Sequence, residues 1–152
     1  YSKFVFKKNF SSNSYSPKIP AVSARLNYVY NTIKSNLEIK NKKILDIGAG
    51  EGNFFDFFEK KTNLYALEPK RENCILLKKK KIKYFNSSLK EAKIYRKFDV
   101  ATLLWTTCVF NNPFNEIKKV KTLIKKNGYL IIAESSRILV HPRKSLGIGK
   151  DV

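Results

Sequence analysis

One segment constrains the fold of this chain more than any other: residues 44–54, with the sequence ILDIGAGEGNF. The apolar residues up to Ile47 predict a buried strand, and the glycines at 48, 50 and 52 predict a tight turn. A helix is predicted over about 52–61, with its phenylalanines facing the sheet. Glycines in such a turn let the backbone approach a ligand, and the first amides of a helix are free to face it. The segment therefore predicts a cofactor-binding turn.

Acidic residues around the turn narrow the kind of cofactor. Asp46 precedes the first glycine, Glu51 lies within the turn, and Glu68 ends the next apolar run twenty positions after Gly48. A dinucleotide fingerprint would need its third glycine at Asn53 and would place a pyrophosphate beside these carboxylates. Negative charges instead favour a ligand with an ammonium and a sulfonium, and Glu68 lies where a carboxylate accepts hydrogen bonds from ribose hydroxyls. A tight strand–helix connection without a ligand is the alternative interpretation.

Strands and helices alternate along the rest of the chain, which predicts an α/β fold with a doubly wound, mostly parallel sheet. An amphipathic helix over about 21–37 comes first. Five strands are predicted, at 43–47, 64–68, 82–85, 98–104 and 129–133. Further helices are predicted at about 70–79 and 113–125, the second of them beginning at Pro113 behind a cap at Asn112 and ending at Asn127-Gly128.

Two regions are predicted. Residues 1–20 are polar, carry two prolines and predict an irregular arm, whereas residues 21–152 form a single domain. Only nineteen residues follow the fifth predicted strand, and the chain does not begin with Met. We therefore expect a fragment of a longer protein.

The glycine motif and the acidic residue after the second strand together resemble the class I S-adenosylmethionine-dependent methyltransferases, over about residues 21–135. The resemblance implies a Rossmann-like sheet that normally continues with a helix and two more strands. It also implies S-adenosylmethionine as the cofactor, and a set of residues that bind it. Those residues are Asp46, Gly48, Ala49 and Gly50 for the methionine portion, Glu68 for the ribose, Pro69, Ser88 and Leu89 for the adenine, and Trp105 and Thr106 beside the reacting methyl group.

The chain departs from this family at two places. Ser88 stands where the family usually has an acidic residue that bonds the adenine. Thr107-Cys108-Val109 stands where many relatives with small-molecule substrates carry an acid/base pair. His141, the single histidine, is a candidate general base for an acceptor hydroxyl, although a histidine before a proline is more often an ordinary surface residue.

The formal net charge of +19 raises the question of a nucleic-acid partner. Lysine, however, greatly outnumbers arginine, the residue better suited to phosphates and bases. Lys, Asn, Ile, Phe and Tyr share A/T-rich codons, so genomic base composition is the favoured explanation. An RNA methyltransferase remains an alternative interpretation.

The two cysteines, Cys74 and Cys108, lie far apart without metal-type spacing, so we predict free thiols, no metal site and a reducing cytoplasm. No apolar stretch is long enough for a membrane span. The favoured function is a cytoplasmic methyltransferase that acts on a small molecule or saccharide. A truncated or non-catalytic S-adenosylmethionine-binding domain is the remaining alternative.

Overall fold

The computed structural model describes residues 20–134 and confirms the doubly wound α/β fold. Its strands are β1 (Lys43–Ile47), β2 (Asn63–Leu67), β3 (Lys83–Phe85), β4 (Phe98–Leu104) and β5 (Ile124–Ala133). Its helices are α1 (Pro20–Asn36), α2 (Arg71–Lys79) and α3 (Pro113–Leu123), with short 3₁₀ helices at Asn53–Phe57 and Thr107–Val109.

The strand order is β3-β2-β1-β4-β5, and all four pairings are parallel. The chain moves outward from β1 to β3 and then crosses back to β4 on the other side of β1. Strand order therefore reverses between β1 and β4, and ligands of such sheets bind in the crevice at the carboxyl ends of the strands there.

Both faces of the sheet are covered, which explains the nearly continuous apolar sequence of its central strands. The α1 face packs against α1, the first 3₁₀ helix and α2, through Leu26, Val29, Ile33, Ile44, Phe54, Phe55, Phe58, Ala66, Leu77 and Val100. The α3 face packs against α3, through Leu45, Ile47, Tyr65, Leu67, Phe98, Ala101, Leu103, Val120 and Leu123. Alternation along β1 assigns Asp46 to the α1 face, with Ile44.

The helix predicted over 52–61 is wrong in type and length, because only a 3₁₀ helix at Asn53–Phe57 forms. The four phenylalanines explain this difference. Phe58 leaves the helix in an extended conformation, yet its ring still meets Phe54 edge-on at 5.1 Å and Tyr30 of α1 at 4.9 Å. A short helix followed by an extended residue thus sends several neighbouring rings into one cluster, which a single helical face is too narrow to do.

The end of α3 also differs from the prediction. The helix ends at Leu123 and β5 begins at once with Ile124, so Asn127-Gly128 is an irregularity within the strand and does not stop a helix. Asn127 adopts a φ of 62°. A Cβ on Gly128 would lie 2.9 Å from the carbonyl oxygen of Asp99, so this glycine permits a close approach of β5 to β4.

The start of α3 agrees with the sequence prediction. Asn112 is the N-cap, its side-chain oxygen accepts a hydrogen bond from the Asn115 amide at 3.2 Å, and Pro113 occupies the first turn. Between β3 and β4 the chain makes a turn near residue 90 and then runs without regular structure to β4. Within residues 20–134, no helix is long and apolar enough to cross a membrane.

Candidate cofactor site at the glycine turn

The turn after β1 directs its amide groups into the protein. Gly48, Gly50 and Gly52 all adopt positive φ, at 75°, 55° and 74°. The Gly48 amide donates to the carbonyl of Leu67 at 2.8 Å, and the Gly50 amide donates to Glu68 Oε2 at 2.8 Å. Amides bound in this way do not present a cradle to a pyrophosphate, which weighs against a dinucleotide.

The three glycines serve different purposes. A Cβ on Gly48 would lie 2.6 Å from Cγ2 of Thr106, and one on Gly52 would lie 2.5 Å from Cδ2 of Leu77. Packing inside the protein, rather than approach to a ligand, therefore explains these two glycines. A Cβ on Gly50 would meet nothing within 4 Å. Gly50 is thus the glycine beside open space. Of the three glycines, only Gly50 fits the explanation from the sequence, in which a glycine lets the backbone approach a ligand.

Glu68 joins the end of β2 to the glycine turn. Its side chain is nearly buried, with the residue 4% exposed. Besides the Gly50 amide on Oε2, it accepts the Lys70 amide on Oε1 at 2.9 Å. A carboxylate offers about four acceptor positions, so these two bonds fix its orientation and leave capacity for a pair of hydroxyl groups.

Asp46 lies at the carboxyl end of β1 and is only 3% exposed. Its register partner on β4 is Thr102, whose hydroxyl donates to Asp46 Oδ1 at 2.6 Å. Burial raises the pKa of Asp46 to about 7, a shift that the Thr102 hydrogen bond partly offsets and the negative charge of Glu68 enlarges. With this pKa, about half of the Asp46 side chains are protonated near neutral pH, and a cation beside Asp46 would favour the ionised form.

Asp46, Glu68 and the turn of residues 48–52 together form what we call the acidic crevice. Its far wall is built by the end of β4. The Thr106 hydroxyl lies 3.1 Å from the carbonyl of Ile47, so this side chain fastens β4 to β1 behind Gly48. Trp105 adopts a φ of 53°, which is rare for a bulky residue and often marks a functional position.

The residues predicted to contact an adenine have mostly local partners. The Ser88 hydroxyl donates to Glu91 Oε2 at 2.9 Å and accepts from the Glu91 amide at 3.3 Å. Leu89 is buried in the core on the α3 face. Pro69 is exposed beside Glu68. The adenine contacts of all three stay a prediction.

Sequence reasoning missed three polar side chains at the strand ends. One is Thr102, described above. Asn86, directly after β3, donates from Nδ2 to the carbonyls of Glu68 and Pro69, at 3.1 and 3.0 Å. Glu134, directly after β5, accepts from the amide and the hydroxyl of Thr107 through Oε1, both at 2.6 Å. For Asn86 and Glu134, a position directly after a parallel strand was the signal that could have found them, whereas Thr102 lies within β4.

Of the remaining candidates from the sequence, some lie within the described residues and one lies outside them. Thr107-Cys108-Val109 forms a 3₁₀ helix at the end of β4, and Cys108 is an exposed free thiol, whereas Cys74 is a buried one. Burial and the charge of Glu68 raise the pKa of the Cys74 thiol. His141 lies outside the described residues, so its role as a general base stays a prediction.

Comparison with models of protein families shows which family the chain belongs to. Residues 23–146 match a family model described as a methyltransferase domain. The chain belongs to this methyltransferase family. No curated protein sequence matches the chain significantly.

Solved methyltransferases share the fold. The plantazolicin methyltransferase BpumL, in complex with a triazolic desmethylPZN analog and SAH, matches with a TM-score of 0.71 and 19% identity, over 92% of this chain and 57% of its own. A Thermotoga maritima protein described as a possible histamine N-methyltransferase matches with a TM-score of 0.63 and 20% identity, over 84% of this chain and 65% of its own. Coclaurine N-methyltransferase bound to N-methylheliamine and SAH matches with a TM-score of 0.66 and 15% identity, over 84% and 38%.

Because these sequence identities are low, the structural similarity shows a common fold but does not show a common substrate. The chain spans about half the length of the plantazolicin methyltransferase.

Proposed function

We propose that this chain binds S-adenosylmethionine in the acidic crevice and transfers its methyl group to a small molecule or saccharide. The observation that carries the proposal is the hydrogen bond between Glu68 Oε2 and the Gly50 amide. This bond joins the buried carboxylate of Glu68, at the end of β2, to the glycine turn that follows β1. Asp46 lies on β1, the neighbouring strand. Two carboxyl groups thus lie at the carboxyl ends of adjacent strands, where open α/β sheets bind their ligands.

The residues of the crevice fit a cationic nucleoside. Glu68 keeps acceptor capacity for the two hydroxyls of a ribose, and Asp46 would become ionised beside an ammonium group. Gly50 allows close approach of the backbone because no side chain fills the space beside it. When bound, S-adenosylmethionine would supply a methyl group already activated by a positively charged sulfur.

The residues expected beside the acceptor supply no acid or base for the reaction. Neither Trp105 nor Thr106 is an acid or a base, and Thr107-Cys108-Val109 replaces the acid/base pair of some relatives. We expect the protein to act mainly by holding the acceptor in line with the methyl group, which can lower a barrier by several kcal/mol. The names of the similar structures include a possible histamine N-methyltransferase and a coclaurine N-methyltransferase bound to N-methylheliamine, and they support a small acceptor.

Isothermal titration calorimetry tests the proposal, with S-adenosylhomocysteine and NADH as ligands for the same preparation. We expect S-adenosylhomocysteine to bind with one site per chain and NADH to bind at least a hundredfold more weakly. Tighter binding of NADH would replace the proposal with a dinucleotide enzyme. Binding of neither ligand by a folded chain would favour a domain without a cofactor.

Methyl transfer itself requires a second assay, because binding alone does not distinguish an enzyme from a non-catalytic domain. Transfer of a radiolabelled methyl group would be measured to a panel of amines, saccharides and unstructured RNA. We expect incorporation into an amine or a saccharide. Incorporation into RNA alone would favour the RNA methyltransferase interpretation instead.

A further inference from the structure

A second concave surface lies at the outer edge of the sheet, away from the acidic crevice. This groove, of about 390 Å³, runs between β3 and residues 93–96 of the segment that returns to β4. Tyr65 forms part of its floor and belongs to the core on the α3 face. Asp46 points to the α1 face, so the groove and the crevice lie on opposite sides of the sheet.

The groove gathers positive charge without a carboxylate to balance it. Lys83, Lys93 and Arg96 line it, and no acidic residue does so among the described part of the chain. Lys83 Nζ lies 5.3 Å from the ring centre of Tyr65, and Arg96 Cζ lies 5.1 Å from the same centre. Arg96 also donates a hydrogen bond to the Tyr65 hydroxyl.

The two ion pairs within residues 20–134, Lys80 with Asp56 and Lys125 with Asp99, both lie outside the groove. Two positive charges thus lie beside the ring of Tyr65, and an anion in the groove would be attracted to both. We call Lys83, Lys93 and Arg96, together with Tyr65 and Tyr95, the basic groove.

An exposed aromatic ring accompanies these charges. Tyr95, on the returning segment, is 94% exposed and lines the groove, whereas Tyr84 of β3 pairs with Ala66 and directs its side chain to the α1 face. Flat rings beside cations can stack on the bases of a nucleic acid while the cations bind its phosphates. An acidic peptide would use the cations but leave the ring without a partner, and a duplex would keep its bases stacked inside.

We propose that the basic groove binds single-stranded nucleic acid, with phosphates at Lys83, Lys93 and Arg96 and a base stacked on Tyr95. The proposal goes beyond methyl transfer, because it concerns a separate surface and requires no bound S-adenosylmethionine. Such a surface would hold the protein on a nucleic acid whether or not that molecule is the methyl acceptor.

Fluorescence anisotropy with a labelled, unstructured 12-nucleotide RNA tests the proposal. Contacts with three phosphates predict that affinity falls about twentyfold between 50 and 200 mM KCl, from a slope of about −0.7 per phosphate on logarithmic axes. The triple variant Lys83→Gln/Lys93→Gln/Arg96→Gln should lose this salt dependence and bind at least about twentyfold more weakly at 50 mM KCl.

A matched variant separates the groove from net charge. Lys60→Gln/Lys61→Gln/Lys118→Gln removes the same charge from exposed lysines elsewhere, and we expect it to lower affinity by less than about threefold. Equal losses in the two triple variants would overturn the proposal, because the charge of the whole chain would then explain binding.

The exposed ring separates nucleic acid from other polyanions. Tyr95→Ala should weaken RNA binding about tenfold and Tyr95→Phe should preserve it, since stacking on one aromatic side chain contributes about that much. Wild-type affinity in Tyr95→Ala, or equally effective competition by a decaglutamate peptide, would overturn the proposal. Thermal unfolding of each variant confirms that the fold is intact, and binding of S-adenosylhomocysteine is measured separately, so failure of one proposal leaves the other testable.

Discussion

The acidic crevice and the basic groove carry charge in opposite ways. In the crevice the charged groups are few and nearly buried, and both Asp46 and Glu68 have hydrogen-bond partners within the protein. In the groove the cations lie at the edge of the sheet, and no carboxylate within residues 20–134 forms an ion pair with them. The net charge of +19 therefore describes the surface and not the polarity of the crevice.

The two regions also differ in how firmly they are held. Crevice groups are fixed by the backbone, because the turn amides donate to Leu67 and Glu68. In the groove, Lys83 and Arg96 are long side chains that rest on a single ring, that of Tyr65. We therefore expect single substitutions in the crevice to have large effects on stability or on one ligand, whereas groove substitutions should leave the fold almost unchanged.

The largest effect is expected at Gly48. In Gly48→Ala the new Cβ would collide with Thr106 Cγ2 at 2.6 Å, and the residue would keep a φ of 75°. We expect the free energy of unfolding to fall by about 3 kcal/mol, from overpacking and backbone strain together. Urea denaturation measures it.

Two matched variants sharpen this contrast. Gly50→Ala has a positive φ but open space for its Cβ and should cost only about 1 kcal/mol. Tyr95→Ala in the groove should cost less than about 0.5 kcal/mol. Similar losses in Gly48→Ala and Gly50→Ala would show that packing against Thr106 is not what requires a glycine at residue 48.

The second effect concerns Glu68 and the cofactor. Glu68→Ala removes the acceptor proposed for the ribose and frees the Gly50 amide, so affinity for S-adenosylhomocysteine should fall about a hundredfold. Glu72→Ala, which removes the same charge from an exposed position on α2, should change affinity less than about twofold. Calorimetry compares them. Equal affinities in the two variants would remove Glu68 from the site.

The third effect is a pH dependence that belongs to the crevice alone. In the free protein the pKa of Asp46 is about 7, and a cationic ligand favours the ionised carboxylate. Binding below this pH should therefore release a proton. Affinity for S-adenosylmethionine should therefore rise as pH rises, by about fifteenfold between pH 5.5 and pH 7, a range in which an α-amino group remains protonated. Asp46→Asn should bind weakly and show almost no pH dependence. A flat wild-type profile, measured by calorimetry, would contradict contact between Asp46 and the cation.

The smallest effect is expected at the outer side of the turn. Lys80 Nζ lies 2.8 Å from Asp56 Oδ2 and 3.3 Å from the carbonyl of Gly52, but the pair is partly exposed. Lys80→Ala should lower the free energy of unfolding by less than about 1 kcal/mol, and Lys79→Ala, its exposed neighbour, by less still. Thermal unfolding at low and high salt checks this, and a loss above 2 kcal/mol would mean that Lys80 helps to hold the turn.

The sequence could predict features that depend on neighbours along the chain. Apolar runs located all five strands, and the acidic residue ending the second run proved to lie against the glycine turn. The cap at Asn112 followed from the residue types alone.

Features that depend on distant strands could not be predicted in this way. The Thr102 bond to Asp46 requires the pairing of β1 with β4, and the need for a glycine at residue 48 comes from Thr106. The groove forms only when β3 and the returning segment meet at Tyr65. Periodicity indicates which face of the sheet a residue occupies, but it does not identify the residue opposite.

A crystal structure of the chain with S-adenosylhomocysteine is the most direct test of the proposed cofactor site. We predict that both ribose hydroxyls will lie within hydrogen-bonding distance of Glu68, with the ammonium group on the side of Asp46. An empty crevice in crystals grown with saturating ligand, or a nucleoside bound elsewhere on the chain, would contradict the account.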